Sequence, residues 1–171
     1  MTIDKQHGLP ESHDISAEDR AFMRMAIELS IENIDQGGGP FGAVIVRDGE
    51  LIATGANRVV PMGDPTAHAE VNAIRAACSK LGEFKLAGCT IYSSCEPCPM
   101  CLSALYWAGV ERILYGNTKE DAKAIAFDDS FIYEQIALDH ESRSIPCINF
   151  MRDKALKGFA AWSEKEDKIP Y

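Results

Sequence analysis

Helix-type and strand-type segments alternate along most of this chain, and this alternation restricts the fold more than any other feature of the sequence. A helical stripe follows Ser16, and two strand-type runs within 41–54 meet at Asp48-Gly49. That dipeptide favours a hairpin turn, because both of its positions need positive φ. Helices and strands then alternate to about residue 115. Such an order predicts an α/β domain of three layers, in which helices cover both faces of one partly antiparallel sheet.

Residues with strong positional preferences predict where the helices begin and end. Ser16 with Asp19 three residues later has the spacing of a capping box. The run Gly37–Gly39 ends the first helix, and it lacks the following Lys-Ser/Thr of a phosphate loop. Thr66 is the expected N-cap of a helix from about Ala67 to Leu81. Strands are also expected at 90–94 and 112–115, with further helices starting at Pro99, after Thr118 and near Arg152.

The length and composition are those of one globular domain. The chain has 171 residues, of which 46% are hydrophobic and 25% charged. No apolar run approaches the ~18 residues that a membrane span requires, so we expect neither a membrane protein nor a disordered chain. The polar residues 1–15 are expected to form a flexible arm and residues 16–171 a single domain. Because the N-terminus lacks a basic-then-apolar pattern, we expect a cytoplasmic location.

The charge and cysteine content narrow the function further. Seventeen basic residues stand against 26 acidic ones, for a formal net charge of -9. Nucleic-acid affinity depends mainly on Lys and Arg neutralising phosphates, so no nucleic-acid partner is expected. Six cysteines in a chain expected to be cytoplasmic indicate metal binding or redox chemistry more than disulfide crosslinking.

Two short motifs, each at a predicted helix start, carry the chemistry. They are His68-Ala69-Glu70 and Pro97-Cys98-Pro99-Met100-Cys101. Cys98 and Cys101 are three residues apart, so on a helix they point to one side. Two thiolates and one imidazole, with a fourth position left for water, form the ligand pattern of a catalytic zinc site. Glu70 would then take a proton from that water and pass it to a leaving amine.

Each motif alone has other interpretations. Cys98 and Cys101 have the spacing of a redox pair, and Cys95 extends them toward an iron–sulfur pattern that lacks the required fourth Cys-Pro. Cys95 as a fourth ligand would close the zinc site, make the metal structural and leave Glu70 idle. A helix-opening His-x-Glu combined with a downstream Pro-Cys-x-x-Cys is far more specific, and it is the signature of nucleobase zinc deaminases.

From about Phe22 to Tyr171 the sequence resembles the cytidine-deaminase-like zinc deaminases, and more narrowly the bacterial guanine deaminases of that fold. The family-level stretches, shared with tRNA adenosine deaminases, are 39–44, 64–70 and 94–101. The narrower stretches are 127–133, Ile145-Pro146 and 169–171. The resemblance implies a mixed five-stranded sheet with helices on both faces, and one catalytic Zn²⁺ per subunit. It also implies hydrolytic deamination of guanine to xanthine and ammonia in purine catabolism or salvage.

The resemblance further implies substrate contacts and a homodimer. The implied contacts are the side chains of Asn57, Trp107, Phe127, Asp129 and Tyr171 and the backbone amide of Ala69. Each side chain also has a structural interpretation, as a loop cap, a core aromatic, a surface acid or a frayed end. In similar enzymes the C-terminal segment is swapped between subunits and closes the partner's active site. The alternatives are a tRNA adenosine deaminase, another base or nucleoside deaminase, and a non-catalytic zinc module indifferent to loss of Glu70.

Overall fold

The computed structural model of the protein describes residues 15–170. In chain order the elements are α1 (Ala17–Asp35), β1 (Gly42–Arg47), β2 (Glu50–Ala56), α2 (Val59–Met62), α3 (Ala69–Leu81), β3 (Cys89–Cys95), α4 (Pro99–Ala108), β4 (Arg112–Asn117), α5 (Lys119–Ala124), α6 (Ser130–Ala137) and α7 (Arg152–Glu164). A short 3₁₀ turn at His140–Ser142 lies between α6 and α7. The proposed arm over 1–15 lies almost wholly outside the described residues and stays a prediction.

The four strands of the described chain form a mixed sheet in the order β2-β1-β3-β4. Strand β1 is antiparallel to β2 and β3, while β3 and β4 run parallel. The hairpin turn is confirmed, since Asp48 and Gly49 have φ of 52° and 76°. The expected fifth strand does not form within residues 15–170. After β4, Thr118 and Asp121 form a reciprocal capping box that starts α5 and turns the chain away from the sheet.

Helices cover both faces of the sheet, as the alternation predicts. Along β1, Ala43 and Ile45 face the side covered by α3 and α4. The alternate residues Val44 and Val46 face α1 on the other side. Because side chains alternate along a strand, a fully buried run of this kind requires an apolar layer on each face. This packing gives the domain its three layers.

The start of α3 departs from the sequence prediction by two residues, whereas α4 begins at Pro99 as predicted. Helix α3 begins at Ala69 with His68 as its N-cap, and not at Ala67 with Thr66 as the cap. The backbone N–H and hydroxyl of Thr66 both donate to Asp64 Oδ1, at 2.8 and 2.7 Å, which holds Thr66 in a turn. His68 therefore lies at the N-terminal end of α3, with its side chain directed toward α4.

The C-terminal third packs little against the sheet. No residue of α6 or α7 is buried, although this region is rich in large apolar side chains. Ile148 is 83% exposed and Phe159 75%, and residues 146–150 form no strand within the described chain. Between residues 15 and 170, no helix is long and apolar enough to cross a membrane.

Candidate active site

The two helix starts predicted to carry the chemistry meet at one point. His68 is the N-cap of α3, Cys98 is the N-cap of α4, and Cys101 lies in the first turn of α4. The His68 Nδ1 atom lies 3.6 Å from Cys98 Sγ and 3.5 Å from Cys101 Sγ. Both helix N-termini therefore direct positive dipole ends toward the same three side chains, an arrangement that favours thiolates.

These three side chains fit a tetrahedral zinc site. Zinc bonds of ~2.0–2.1 Å to nitrogen and ~2.3 Å to sulfur at tetrahedral angles require N–S separations of about 3.6 Å. The separations in the structure match that value, and the three donor atoms all lie within 4.8 Å of one another. Two sulfurs and one imidazole nitrogen are also the donor chemistry that zinc prefers. His68, Cys98 and Cys101 could thus hold the metal with one position open.

The ionisation of the cluster agrees with a ligand role. A hydrogen bond from the Cys101 thiol and another from His68 lower the pKa of Cys98 to about 4. The same contact raises the pKa of Cys101, because its proton is shared with the Cys98 thiolate. Hydrogen bonding to Cys98 raises the pKa of His68. At least one thiolate is therefore present at neutral pH even without the charge of a metal ion.

Cys95 lies apart from this cluster. Its Sγ is 3.7 Å from the carbonyl oxygen of Thr118 and does not belong to the group of close donor atoms found among the described residues. Burial raises the pKa of Cys95 to about 11, so it is a protonated thiol. The geometry does not favour Cys95 as a fourth ligand, and a site with three protein ligands leaves room for water.

Glu70 stands in the first turn of α3 beside the cluster and is only 6% exposed. Burial raises the pKa of its carboxyl group, and the hydroxyl of Ser93 donates to Glu70 Oε1 at 3.1 Å. A buried carboxyl group with a raised pKa suits proton transfer in both directions near neutral pH. Glu70 is not one of the clustered donor atoms, so it is available for that work.

A cavity of about 450 Å³ opens over the cluster at the end of β3. Six of the residues singled out from the sequence line it: Asn57, His68, Glu70, Cys98, Phe127 and Asp129. Phe127 meets Phe41 edge-to-face, with ring centroids 4.9 Å apart, and forms an apolar wall. Burial and the negative charge of Cys98 raise the pKa of Asp129. An apolar wall with a few polar groups is typical of a small-molecule site.

Two other predicted contacts, Trp107 and Ala69, do not line this cavity, and a third lies outside the described residues. Trp107 is 66% exposed on the outer side of α4 and does not line this cavity, because its position in the helix points it away from the cluster. Ala69 is completely buried at the start of α3, next to His68. Tyr171 lies outside the described residues. As contacts with substrate, these three residues stay predictions.

Three polar residues of the site, Ser93, Glu96 and Lys119, are not among the residues predicted from the sequence. Ser93 supports Glu70, and alternation along β3 could have revealed it, since Ile91 two residues earlier packs against α3 and α4. Glu96 and Lys119 also line the cavity, and the Lys119 backbone N–H donates to Glu96 Oε2 at 3.1 Å. This hydrogen bond joins the loop after β3 to the start of α5, and no local sequence pattern predicts it.

Comparisons with known proteins place the chain among deaminases. Residues 16–117 match the family model of the cytidine and deoxycytidylate deaminase zinc-binding region. Guanine deaminase of Bacillus subtilis (strain 168) is 48% identical over 151 residues, which cover 88% of this chain and 97% of that protein. An X-ray structure of the Bacillus subtilis guanine deaminase superposes with a TM-score of 0.87, covering 89% of this chain and 98% of that one.

Two further relatives are similar to this chain over different shares of its length. A structure of guanine deaminase from Nitrosomonas europaea is 33% identical, with a TM-score of 0.63, and covers 84% of this chain and 72% of that one. The tRNA-specific adenosine deaminase of Agrobacterium fabrum is 41% identical, but over 100 residues, which are 58% of this chain and 66% of that protein. The family model spans both motif-bearing helix starts, and the Bacillus relative aligns along nearly its whole length, so the chain belongs to the cytidine and deoxycytidylate deaminase zinc-binding family.

Proposed function

We propose that this protein is a zinc-dependent guanine deaminase, which hydrolyses guanine to xanthine and ammonia. The observation that carries this proposal is the position of Glu70, a buried carboxyl group beside the His68–Cys98–Cys101 cluster in a mostly apolar cavity. The 48% identity to the Bacillus subtilis guanine deaminase, along nearly the whole of that protein, supports the choice of base.

In this proposal His68, Cys98 and Cys101 hold one zinc ion. When bound, zinc lowers the pKa of a coordinated water to near 7 and so provides a nucleophile at neutral pH. Glu70 would take one proton from the attacking water and deliver it to a ring nitrogen of the base. It would then take the second proton, from the hydroxyl group added to the ring carbon, and pass it to the amine as the bond between carbon and amine breaks, which releases ammonia and leaves the new carbonyl of xanthine. Ser93 holds one oxygen of Glu70 through its hydroxyl and keeps the carboxyl group facing the cluster.

The cavity lining suits a flat purine. Phe127, supported by Phe41, offers an apolar face to the ring. Asp129 offers a carboxylate to the N–H groups on the edge of guanine, and Asn57 offers an amide. The formal net charge of -9 is unfavourable for binding the phosphates of tRNA, and it therefore favours a free base as the substrate.

The proposal is tested by ammonia release from purified zinc protein. The panel is guanine, adenine, cytosine, guanosine, cytidine and a tRNA anticodon stem-loop, each run beside Glu70→Gln with its zinc content measured. We expect turnover of guanine, and a loss of about 10²–10⁴-fold in Glu70→Gln with zinc retained. Turnover of the stem-loop in place of guanine would establish the alternative, a tRNA adenosine deaminase. A Glu70→Gln variant as active as wild type would overturn the deaminase mechanism itself.

We further propose that two copies form a homodimer in which the C-terminal segments are exchanged. The large apolar side chains of α7 and of residues 145–150 lack cover within one described chain. Among residues 15–170, strand β4 has a neighbouring strand on one side only, so its outer edge can pair with a strand from another chain. A partner's segment placed there would bury both surfaces and supply the fifth strand that the resemblance implies.

The exchange is tested by mixing two inactive variants. One is Glu70→Gln with its tail intact, and the other lacks residues 169–171 but keeps Glu70. In an exchanged heterodimer, the site with Glu70 receives the intact tail of its partner, so activity returns on mixing and refolding. A stable monomer by light scattering in the active enzyme, or a mixture that stays inactive, would refute the exchange.

A further inference from the structure

Asn33 is a buried polar residue on α1 that lies outside the cavity and has no part in the chemistry described so far. It is 1% exposed, and all of its side-chain hydrogen-bonding groups are engaged. Its Nδ2 donates to the backbone carbonyls of Gly39 at 2.8 Å and Asn57 at 2.7 Å. Its Oδ1 accepts from Arg58 Nη1 at 3.2 Å. One side chain thus ties α1 to the glycine run and to the end of β2.

The backbone that Asn33 holds fixes the side chain of Asn57. Asn57 Oδ1 accepts from the backbone N–H of Gly39 at 3.4 Å and of Val59 at 3.3 Å. These contacts point the carbonyl end of the Asn57 side chain at the protein. The nitrogen end, which carries only donors, is then left to meet a molecule in the cavity that Asn57 lines.

The glycine run explains why Asn33 and the backbone of Asn57 can lie so close together. A Cβ atom on Gly38 would lie 2.2 Å from both Asn33 Nδ2 and Asn57 O, so a larger residue would separate them. A Cβ on Gly39 would meet Asn57 Oδ1 at 3.4 Å. The run therefore does more than end α1: it lets the backbone pass between Asn33 and the residue that lines the cavity.

A second amide holds the same segment from the opposite face of the sheet. Asn72 of α3 donates through Nδ2 to the carbonyls of Ala56 at 2.9 Å and Ala67 at 3.2 Å. The Asn57 N–H donates to Phe41 O at 3.0 Å. The chain around Asn57 is therefore held from both helical layers, and a rigid support of this kind is what a binding group needs to keep its direction.

We propose that Asn33 is a positioning residue that sets the direction of the Asn57 amide, so that Asn57 acts as a hydrogen-bond donor to an acceptor atom of the substrate. For guanine, the acceptor is a carbonyl oxygen or an unprotonated ring nitrogen. The identity of this substrate rests on the proposed function, whereas the link between Asn33 and Asn57 rests on the hydrogen bonds alone.

The test is a double-variant cycle on kcat/KM with Asn33→Ala, Asn57→Ala and both together. We expect Asn33→Ala to lower kcat/KM on the order of tenfold or more, because small displacements of a binding group are costly in rate. In the Asn57→Ala background, the same change should cost less than about twofold, since Asn33 acts through Asn57. An equal loss in both backgrounds would show a purely structural role and overturn the proposal.

Ser30→Ala is the matched control, because Ser30 lies one turn earlier on α1, is buried, and donates to Ile27 O and not to the site. The loss of kcat/KM in Ser30→Ala should be small, and it should be the same in wild type and in the Asn57→Ala background. If Asn33→Ala does not fold, Asn33→Asp keeps the shape and the partner Arg58 but removes the donor, and Gly38→Ala separates the pair from the other side. In both variants the loss of kcat/KM should be smaller in the Asn57→Ala background than in wild type, as expected for Asn33→Ala.

A second readout needs no substrate. The side-chain amide signal of Asn57, assigned by its loss in Asn57→Ala, should shift or broaden in the ¹⁵N spectrum of Asn33→Ala and stay in place in Ser30→Ala. An unchanged signal would also overturn the proposal. If wild type fails to deaminate guanine, the proposed function fails; the cycle is then run with the base that wild type does deaminate, and the amide signal decides the positioning role independently.

Discussion

Asp19 joins the start of α1 to the sheet through a buried cluster of hydrogen bonds. Its carboxylate accepts from the Tyr92 hydroxyl at 2.7 Å, from Arg112 at 3.0 and 3.2 Å, and from the Ser16 N–H at 2.9 Å. Burial acts to raise its pKa, but the bonds from Tyr92, Ser16 and Arg112 outweigh it and lower the pKa from 3.8 to about 2.

That difference corresponds to about 2.4 kcal/mol of stability at neutral pH, since each pKa unit is worth ~1.4 kcal/mol. The Arg112 side chain is 35% exposed, so water screens its share and about 1–2 kcal/mol is the expected net value. Because the pKa of Asp19 is lower in the folded state, this stability is fully present above roughly pH 5 and is lost as the pH falls from about 4 to 2.

Tyr92→Phe removes the hydroxyl and leaves the ring in its place against Phe22. We expect it to lower the free energy of unfolding by about 1 kcal/mol at pH 7, because it removes one of the several bonds to Asp19 and a typical hydrogen bond contributes about that much. The loss should shrink by half or more as the pH falls toward 2.5, where Asp19 begins to be protonated. Urea unfolding followed by tryptophan fluorescence at several pH values, at one protein concentration, measures both quantities.

Tyr115→Phe is the control, because Tyr115 lies on the neighbouring strand and is 47% exposed. Its effect should stay within about 0.5 kcal/mol at every pH. An equal loss of stability in Tyr92→Phe at pH 7 and at pH 2.5 would contradict this prediction, because it would show that the charge of Asp19 does not strengthen the bond from Tyr92.

Three further predictions concern the site and its support. Cys101→Ser should lose zinc, whereas Cys95→Ser should keep one zinc per chain by metal analysis; equal retention would show that the cluster is not the ligand set. A strong chelator should abolish ammonia release, and added Zn²⁺ should restore it; an enzyme indifferent to both would contradict the zinc mechanism. Gly55→Ala should cost about 1–3 kcal/mol by thermal unfolding, because its Cβ would lie 2.2 Å from Ala69 O; an unchanged melting temperature would show that α3 yields freely.

Much of this architecture could be predicted because the signals are local. The capping box of Ser16 and Asp19, the turn at Asp48-Gly49 and the helix start at Pro99 each depend on a few neighbouring residues. The ligand cluster could be predicted for a different reason. Donor types and spacing at two helix starts leave few arrangements other than a shared metal, even though His68 and Cys98 are thirty residues apart.

The positions of two other residues could not be predicted from residue type alone. Thr66 has the residue type of a helix cap, yet a nearer partner, Asp64, holds it in a turn and moves the start of α3 to Ala69. Trp107 has the residue type of a pocket wall, yet it lies on the outer side of α4. In both cases the residue had two chemically reasonable positions. A contact only two residues away decided the position of Thr66, and the orientation of α4 in the packed domain decided that of Trp107.

Residue types and short spacings were enough to predict the layered α/β order, a donor set suited to zinc and a carboxyl group proposed to transfer protons. The contacts that support them became visible only in the packed fold: Ser93 behind Glu70, Asp19 between α1 and the sheet, and Asn33 behind Asn57. These contacts join residues 23, 73 and 24 positions apart. Hydrogen bonds over such separations exist only once the layers pack, so no local pattern encodes them.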